Sequence, residues 1–253
     1  MNTVIDKKII ETVAKDQLIT AVNTRALMNV DTSLAEQSGM TKVINVYAYT
    51  GEAQELGAGE GNTTRGRVAP TTAEYKVKRV QANFDYTDED FHADNAVVDF
   101  GVKGATTELK NKMNADFVAE CGKATLKVVG ALSYDTIVDA IAELNIEDES
   151  GIFVLIPNDQ KALLRKDPDY MAARQGEVVY NGQVGTICGI PVIASKALAK
   201  PYVMTKDAVK LFIKEDVEAG TERNEDTCEN SVYVRAFYVC ALTDATKICA
   251  IGE

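Results

Sequence analysis

A glycine-rich stretch set between two strand-like segments constrains this chain more than any other feature. Lys42–Thr50 (KVINVYAYT) and Glu74–Tyr86 (EYKVKRVQANFDY) are rich in β-branched and aromatic residues. Between them runs GEAQELGAGEGNTTRGRVAPTTA, with Gly57, Gly59 and Gly61 at its centre. A phosphate-gripping loop would have to open a helix, because the free N–H groups of the first turn hold the anion. Here Thr63–Pro70 and then a strand follow, so the glycines mark the tip of a long β-hairpin. Along its second strand Val80, Ala82, Phe84 and Tyr86 share one face near the root, and Lys76 and Lys78 continue that face outwards. The root is expected to be packed and the distal part bare. A lone two-stranded ribbon is marginally stable in water, so such an arm is expected to lie on another surface. No segment of the same chain stands out as its cover.

Composition narrows the function by exclusion. At 253 residues and 46% apolar content the chain can build an ordinary globular core. It has no run of eighteen or more apolar residues, and Met1–Lys8 lacks the apolar core of a signal peptide, so a cytosolic protein with no membrane span is expected. Five cysteines (Cys121, Cys188, Cys228, Cys240 and Cys249) are an odd number without a C-x-x-C pair, which argues against both a disulfide framework and a thiolate zinc site. A net charge of -11 opposes a sequence-independent grip on nucleic acid, which needs a basic stripe. An acidic chain can still line a container for DNA.

The residues of common catalytic sites are missing. His92 is the only histidine and reads as a solvated residue at a helix start, so a histidine-rich metal site cannot form within one chain. There is no G-x-S-x-G elbow, and Cys121-Gly122-Lys123-Ala124 lacks the upstream glycine and the Ser/Thr of a P-loop. Pairs such as Asp88/Asp90 and Glu147/Glu149 read as surface charge among 38 acidic residues. No cofactor is implied.

The remaining pattern gives an α+β chain. Ile9, Ile10, Val13, Leu18 and Val22 predict a helix over Ile5–Met28, broken around Asn29–Ser33. Thr87 with Asp90 resembles a helix N-cap. Leu109, Met113, Phe117 and Cys121 predict a helix over about Thr106–Lys127, after Gly101 and Gly104. Ser133-Tyr134-Asp135 opens another, through Ile137, Val138, Ile141 and Leu144. Gly151–Ile156 reads as a buried strand followed by a short helix near Ala162–Leu164. Val184–Ser195 reads as strand, glycine turn and strand. Two more strands are expected at Ala208–Glu215 and Ser231–Leu242, joined by a polar acid-rich loop, with a last one at Lys247–Ile251.

In this order the pieces resemble the fold shared by the major capsid proteins of tailed bacteriophages and the encapsulin shells, over nearly the whole chain. The likeness rests on the arm, the hairpin, the long helix, SYDTIVDAIAELN and GIFVLIPNDQKALL, and most specifically on GTICGIPVIAS with FYVCALTDATKICAI. It implies an N-terminal arm over 1–40 and an extension-loop hairpin over 41–87. It further implies a peripheral domain with the spine helix over 88–132 and 207–253, and an axial domain over 133–206. Gly51–Arg79 would reach over a neighbouring subunit, its glycines adapting the tip to different environments. Glu218–Glu229 would lie near the local threefold axes.

The implied function is structural: self-assembly through hexamers and pentamers into an icosahedral shell around double-stranded DNA, held without sequence-specific binding. The encapsulin-type compartment is the alternative, and an enzyme with a glycine-rich lid a more distant one. Arg65, Arg67, Lys76 and Lys78 are the expected inter-subunit cations, and Asp88, Glu89, Asp90, Glu225 and Asp226 their candidate partners. Some such shells are cross-linked from an arm lysine to an asparagine, but no lysine lies between Gly51 and Pro70, so no cross-link from the tip is expected. The segment before the hairpin is short for a scaffolding domain, so a separate scaffolding protein and a portal are expected as partners.

Overall fold

The computed structural model describes residues 24–36, 38–94, 96–173 and 185–252. In chain order a short strand β1 (Asn29–Asp31) precedes β2 (Thr41–Thr50), β3 (Arg67–Lys76) and β4 (Lys78–Thr87). Helices α1 (Asp88–Ala93) and α2 (Ala96–Cys121) follow, then β5 (Leu126–Val128), α3 (Tyr134–Leu144) and β6 (Ile152–Pro157). Helices α4 (Lys161–Lys166) and α5 (Pro168–Ala173) lead to β7 (Thr186–Ile187), β8 (Ile190–Ser195) and β9 (Tyr202–Thr205). The chain closes with β10 (Val209–Asn224), β11 (Glu229–Leu242) and β12 (Ile248–Ile251). The result is α+β, with strands dominant.

Three sheets organise these strands. One has the order β1-β10-β11-β4, a second β5-β12-β9-β6-β8-β7, and the third is the β2-β3 ribbon. Helix α2 lies on the first sheet because Val98, Val102, Leu109, Met113, Phe117 and Cys121 recur on one helical face and are all buried. They meet Val232, Val234, Ala236 and Tyr238, alternate residues of β11, in one apolar cluster. Full burial of side chains such as Phe117 and Leu109 contributes about 1.5–3 kcal/mol each. Strand β6 is buried at every position, since it lies between parallel β8 and antiparallel β9 with α3 packed on the same cluster.

Several local signals are honoured. Thr87 and Asp90 form a complete capping box on α1, and Ser133 and Thr136 do the same on α3. Cys188 and Gly189, with φ of 51° and 81°, make the tight turn between β7 and β8.

Elsewhere the structure corrects the pattern. Helix α2 begins ten residues before the expected Thr106 and stops at Cys121, because Gly101 and Gly104 are interior helix positions, not breakers. At Gly101 the Phe84 ring lies where a β-carbon would be. Strand β10 runs on to Asn224, so most of the expected acid-rich loop is paired strand. Register shifts between Ile213 and Glu218 absorb the irregularity, and Gly220 sits opposite Tyr233, whose ring covers it. The helix expected over Ile5–Met28 lies largely outside the described residues; its end, Thr24–Leu27, is a 3₁₀ turn, and Asn29–Asp31 pairs parallel to β10.

Candidate functional site

The hairpin expected between Lys42 and Tyr86 is split in two. Strands β3 and β4 form one extended run with a break at Val77, but they have different partners: β3 pairs with β2, from Thr41↔Lys76 to Thr50↔Arg67, whereas β4 pairs with β11. The proximal half therefore belongs to the body of the protein and the distal half is a free-standing arm.

The packed face changes at the same place. In β4 the even residues Val80, Ala82, Phe84 and Tyr86 pack towards α2, as the alternation predicts. In β3 the odd residue Tyr75, with Val77 beyond it, packs instead on the opposite face of the first sheet, in a small cluster with Leu34, Ile44, Phe212, Phe237, Val239 and Ala241. Tyr75 stacks on Phe212 at 5.7 Å and donates a hydrogen bond to the Leu242 carbonyl at 3.3 Å. Lys42 reaches Asp31 at 3.7 Å on the same side. These contacts fix the direction in which the arm leaves the body. The distal part has its own root packing, which a reading of the even face alone misses.

Beyond that root the arm is exposed. Tyr47 is 64% and Tyr49 69% accessible, and their cross-strand partners are Pro70 and Val68. Directly opposed residues share a face, so these four make one apolar surface that no other described residue covers. Arg65, Arg67, Lys76 and Lys78 are all exposed along the arm and its root, and among the described residues none has an ion-pair partner.

The second charged surface is the tip of the β10-β11 hairpin with the start of α1. Arg223 is its centre, pairing with both oxygens of Asp88 (3.1 and 2.8 Å) and with Glu225 (3.0 Å). Asn230 donates to Asp88 at 2.8 Å. The hydrogen bonds from Arg223 and Asn230 hold the Asp88 carboxyl below its usual pKa, and those from Thr87 do the same for Asp90. Of the five carboxylates singled out from the sequence, Asp88, Asp90 and Glu225 thus have partners within the chain, whereas Glu89 and Asp226 have none among the described residues. The arm's cations and these carboxylates do not meet within one protomer. The Arg223 bridge carries no sequence signal, because it depends on β10 extending to Asn224.

His92 is an exposed residue of α1. Among the described residues no three His, Cys, Asp or Glu side chains are placed to hold a metal, and no helix is long and apolar enough to cross a membrane.

No family model matches the chain. Among solved structures, the asymmetric unit of the bacteriophage PhiM1 mature capsid superposes with a TM-score of 0.69 at 12% identity, over 90% of this chain and 86% of that one. The fold is that of bacteriophage major capsid proteins. A virus-like particle from Pyrococcus furiosus shares this capsid fold, with a TM-score of 0.68 at 11% identity, over 96% of this chain and 98% of the other. At the level of sequence, a major capsid protein of Staphylococcus phage phiMR11 is 25% identical over 237 residues, 88% of this chain and 84% of that protein. The resemblance read from the sequence to phage capsid proteins is therefore borne out, and the arm of β2 and β3 is one of the elements of a capsid-fold chain.

Proposed function

We propose that this chain is a structural major capsid protein of a tailed phage, assembling through hexamers and pentamers into a closed icosahedral shell around double-stranded DNA. The observation that carries the reading is the arm: a two-stranded ribbon with an apolar face of Tyr47, Tyr49, Val68 and Pro70 left open by its own chain. Such a ribbon is only marginally stable alone in water, and a second copy of the same chain supplies a cover in a heterologous, ring-closing contact. In this reading residues 88–132 and 207–253 form a peripheral domain and residues 133–206 an axial domain, and β5 and β12 join the two by pairing into the sheet of β6, β8 and β9. A separate scaffolding protein and a portal complete the assembly, which takes place in the bacterial cytoplasm and ends in the virion.

Arg65, Arg67, Lys76 and Lys78 meet acidic groups of a neighbour in this reading. Glu89 and Asp226 are the first candidates, since Asp88, Asp90 and Glu225 are engaged within the chain. Exposed ion pairs contribute about 0–1 kcal/mol each, so their effect comes from repetition over many copies. Replacing both arginines in R65E/R67E is expected to lower shell yield and salt resistance. Unchanged yield and unchanged salt resistance would remove the arginines from the interface.

The match to the Pyrococcus virus-like particle, which covers nearly all of both chains, supports a second reading as an encapsulin-like compartment. Shells that co-purify with DNA or portal support the phage reading; shells that hold an enzyme support the compartment.

A further inference from the structure

The arm's tip, residues 51–66, contains no strand, yet it is cross-braced along its length. Tyr49 folds its ring over the base of the loop. A β-carbon on Gly51 would stand 2.5 Å from the Tyr49 hydroxyl oxygen and 2.7 Å from the Gly66 Cα, and one on Gly66 would overlap the ring itself. The two glycines are therefore needed for a close approach of backbone to ring, not for freedom of the backbone. Just below this clasp the Thr50 hydroxyl donates to the Arg67 carbonyl at 3.2 Å.

Further out, Gln54 Oε1 accepts the Thr63 N–H at 3.1 Å and the Thr63 hydroxyl at 3.3 Å, tying one side of the loop to the other. Asn62 accepts from the Thr64 N–H at 2.8 Å. At the far end Glu60 N–H donates to the Gly57 carbonyl at 3.1 Å, the Gly57 N–H donates to the Glu60 carboxylate at 3.2 Å, and Gly59 takes the left-handed φ of 91° that this turn requires. Leu56, 42% exposed, is the apolar side chain at this end.

We infer that the tip is a preformed finger, closed by the Tyr49–Gly51–Gly66 clasp before assembly, which presents Leu56 to a second copy of the chain. The docking role rests on the assembly reading above; the closed state of the finger does not. A loop ordered in advance loses less entropy on docking than a free sixteen-residue segment, so the clasp favours assembly by pre-organising the tip.

Arg65 supplies the test, because trypsin must draw the chain around the Arg65–Gly66 bond into an extended form. Unassembled protein, isolated by size exclusion, is digested and the rate of cleavage after Arg65 is followed by mass spectrometry. The wild-type bond is expected to be cut at least about tenfold more slowly than in a free peptide of residues 49–70, a factor that corresponds to about 1.4 kcal/mol of local opening. Tyr49→Ala should restore the peptide's rate, Tyr49→Phe should keep the protection, and Gln54→Ala should lose part of it. Wild-type cleavage at the peptide's rate, or protection unchanged in Tyr49→Ala, would overturn the preformed finger whatever the protein assembles into. If protection follows the clasp but Leu56→Ser leaves shell yield unchanged, the finger is closed and its docking role is overturned.

Discussion

The contact between Gly101 and Phe84 allows a sharp test of how the spine helix is seated. Gly101 lies inside α2, and on propensity alone Gly101→Ala should stabilise the helix by about 0.8–1 kcal/mol. Its new methyl group would enter the space of the Phe84 ring, roughly 1 Å or more inside ordinary carbon–carbon contact. Phe84 cannot swing away freely, since it is half-buried, held in register opposite Val232 and stacked near Tyr86 at 6.3 Å. Overpacking of this kind costs about 1–3 kcal/mol, so the net effect of Gly101→Ala is a destabilisation of up to about 2 kcal/mol. In a Phe84→Ala background the space is vacant and the same substitution should stabilise by about 1 kcal/mol. The double-mutant cycle therefore predicts a coupling of about 1–3 kcal/mol between the two positions, measured by urea unfolding of assembly-incompetent protein. Gly101→Ala stabilising by the same amount in both backgrounds would refute the account, and with it the seating of β4 against α2.

Three further outcomes follow from other contacts. Replacing Arg223 with Ala should lower thermal stability at pH 7 and have progressively less effect on acidification, because the hydrogen bonds from Arg223 and Asn230 lower the folded Asp88 pKa below its ordinary value and the resulting stabilisation, fully present above that ordinary value, is lost as the pH falls through the lowered one; a penalty as large in acid as at neutrality would contradict the bridge. Iodoacetamide at pH 8 should label Cys188 and Cys228, which are exposed, while Cys121 and Cys240, buried and with thiol pKa values pushed up to about 12, should react only on unfolding; early labelling of either buried thiol would refute their packing. Phe212→Ala should cost about 3–5 kcal/mol and speed hydrogen exchange in β2 and β3 beyond the change elsewhere; a uniform increase would show that the arm's root does not depend on the cluster around Phe212.

Much of this architecture is legible from local chemistry. The N-cap at Thr87, the helix start at Ser133, the fully apolar run Ile152–Ile156 and the alternation Val80–Tyr86 all specify their elements within a few residues, and all occur as read. What the sequence hides are features decided at a distance. Gly101 and Gly104 look like breakers until the Phe84 ring is placed beside the helix. The strand from Arg67 to Thr87 looks like one arm of one hairpin, because nothing local shows that β4 pairs with β11 while β3 pairs with β2. The acid-rich segment of β10 is strand because Tyr233 covers Gly220 from the partner strand. The arm is legible as an arm, but its cross-braces, Tyr49 on Gly66 and Gln54 on Thr63, join residues seventeen and nine positions apart and carry no periodic signal.

Electron microscopy of the purified protein, alone and with a co-expressed scaffolding protein, decides whether this chain works as a self-assembling shell protein. Closed particles tens of nanometres across, or the pentamers and hexamers that build them, are the expected result. A strictly monomeric species at high concentration under both conditions would contradict it.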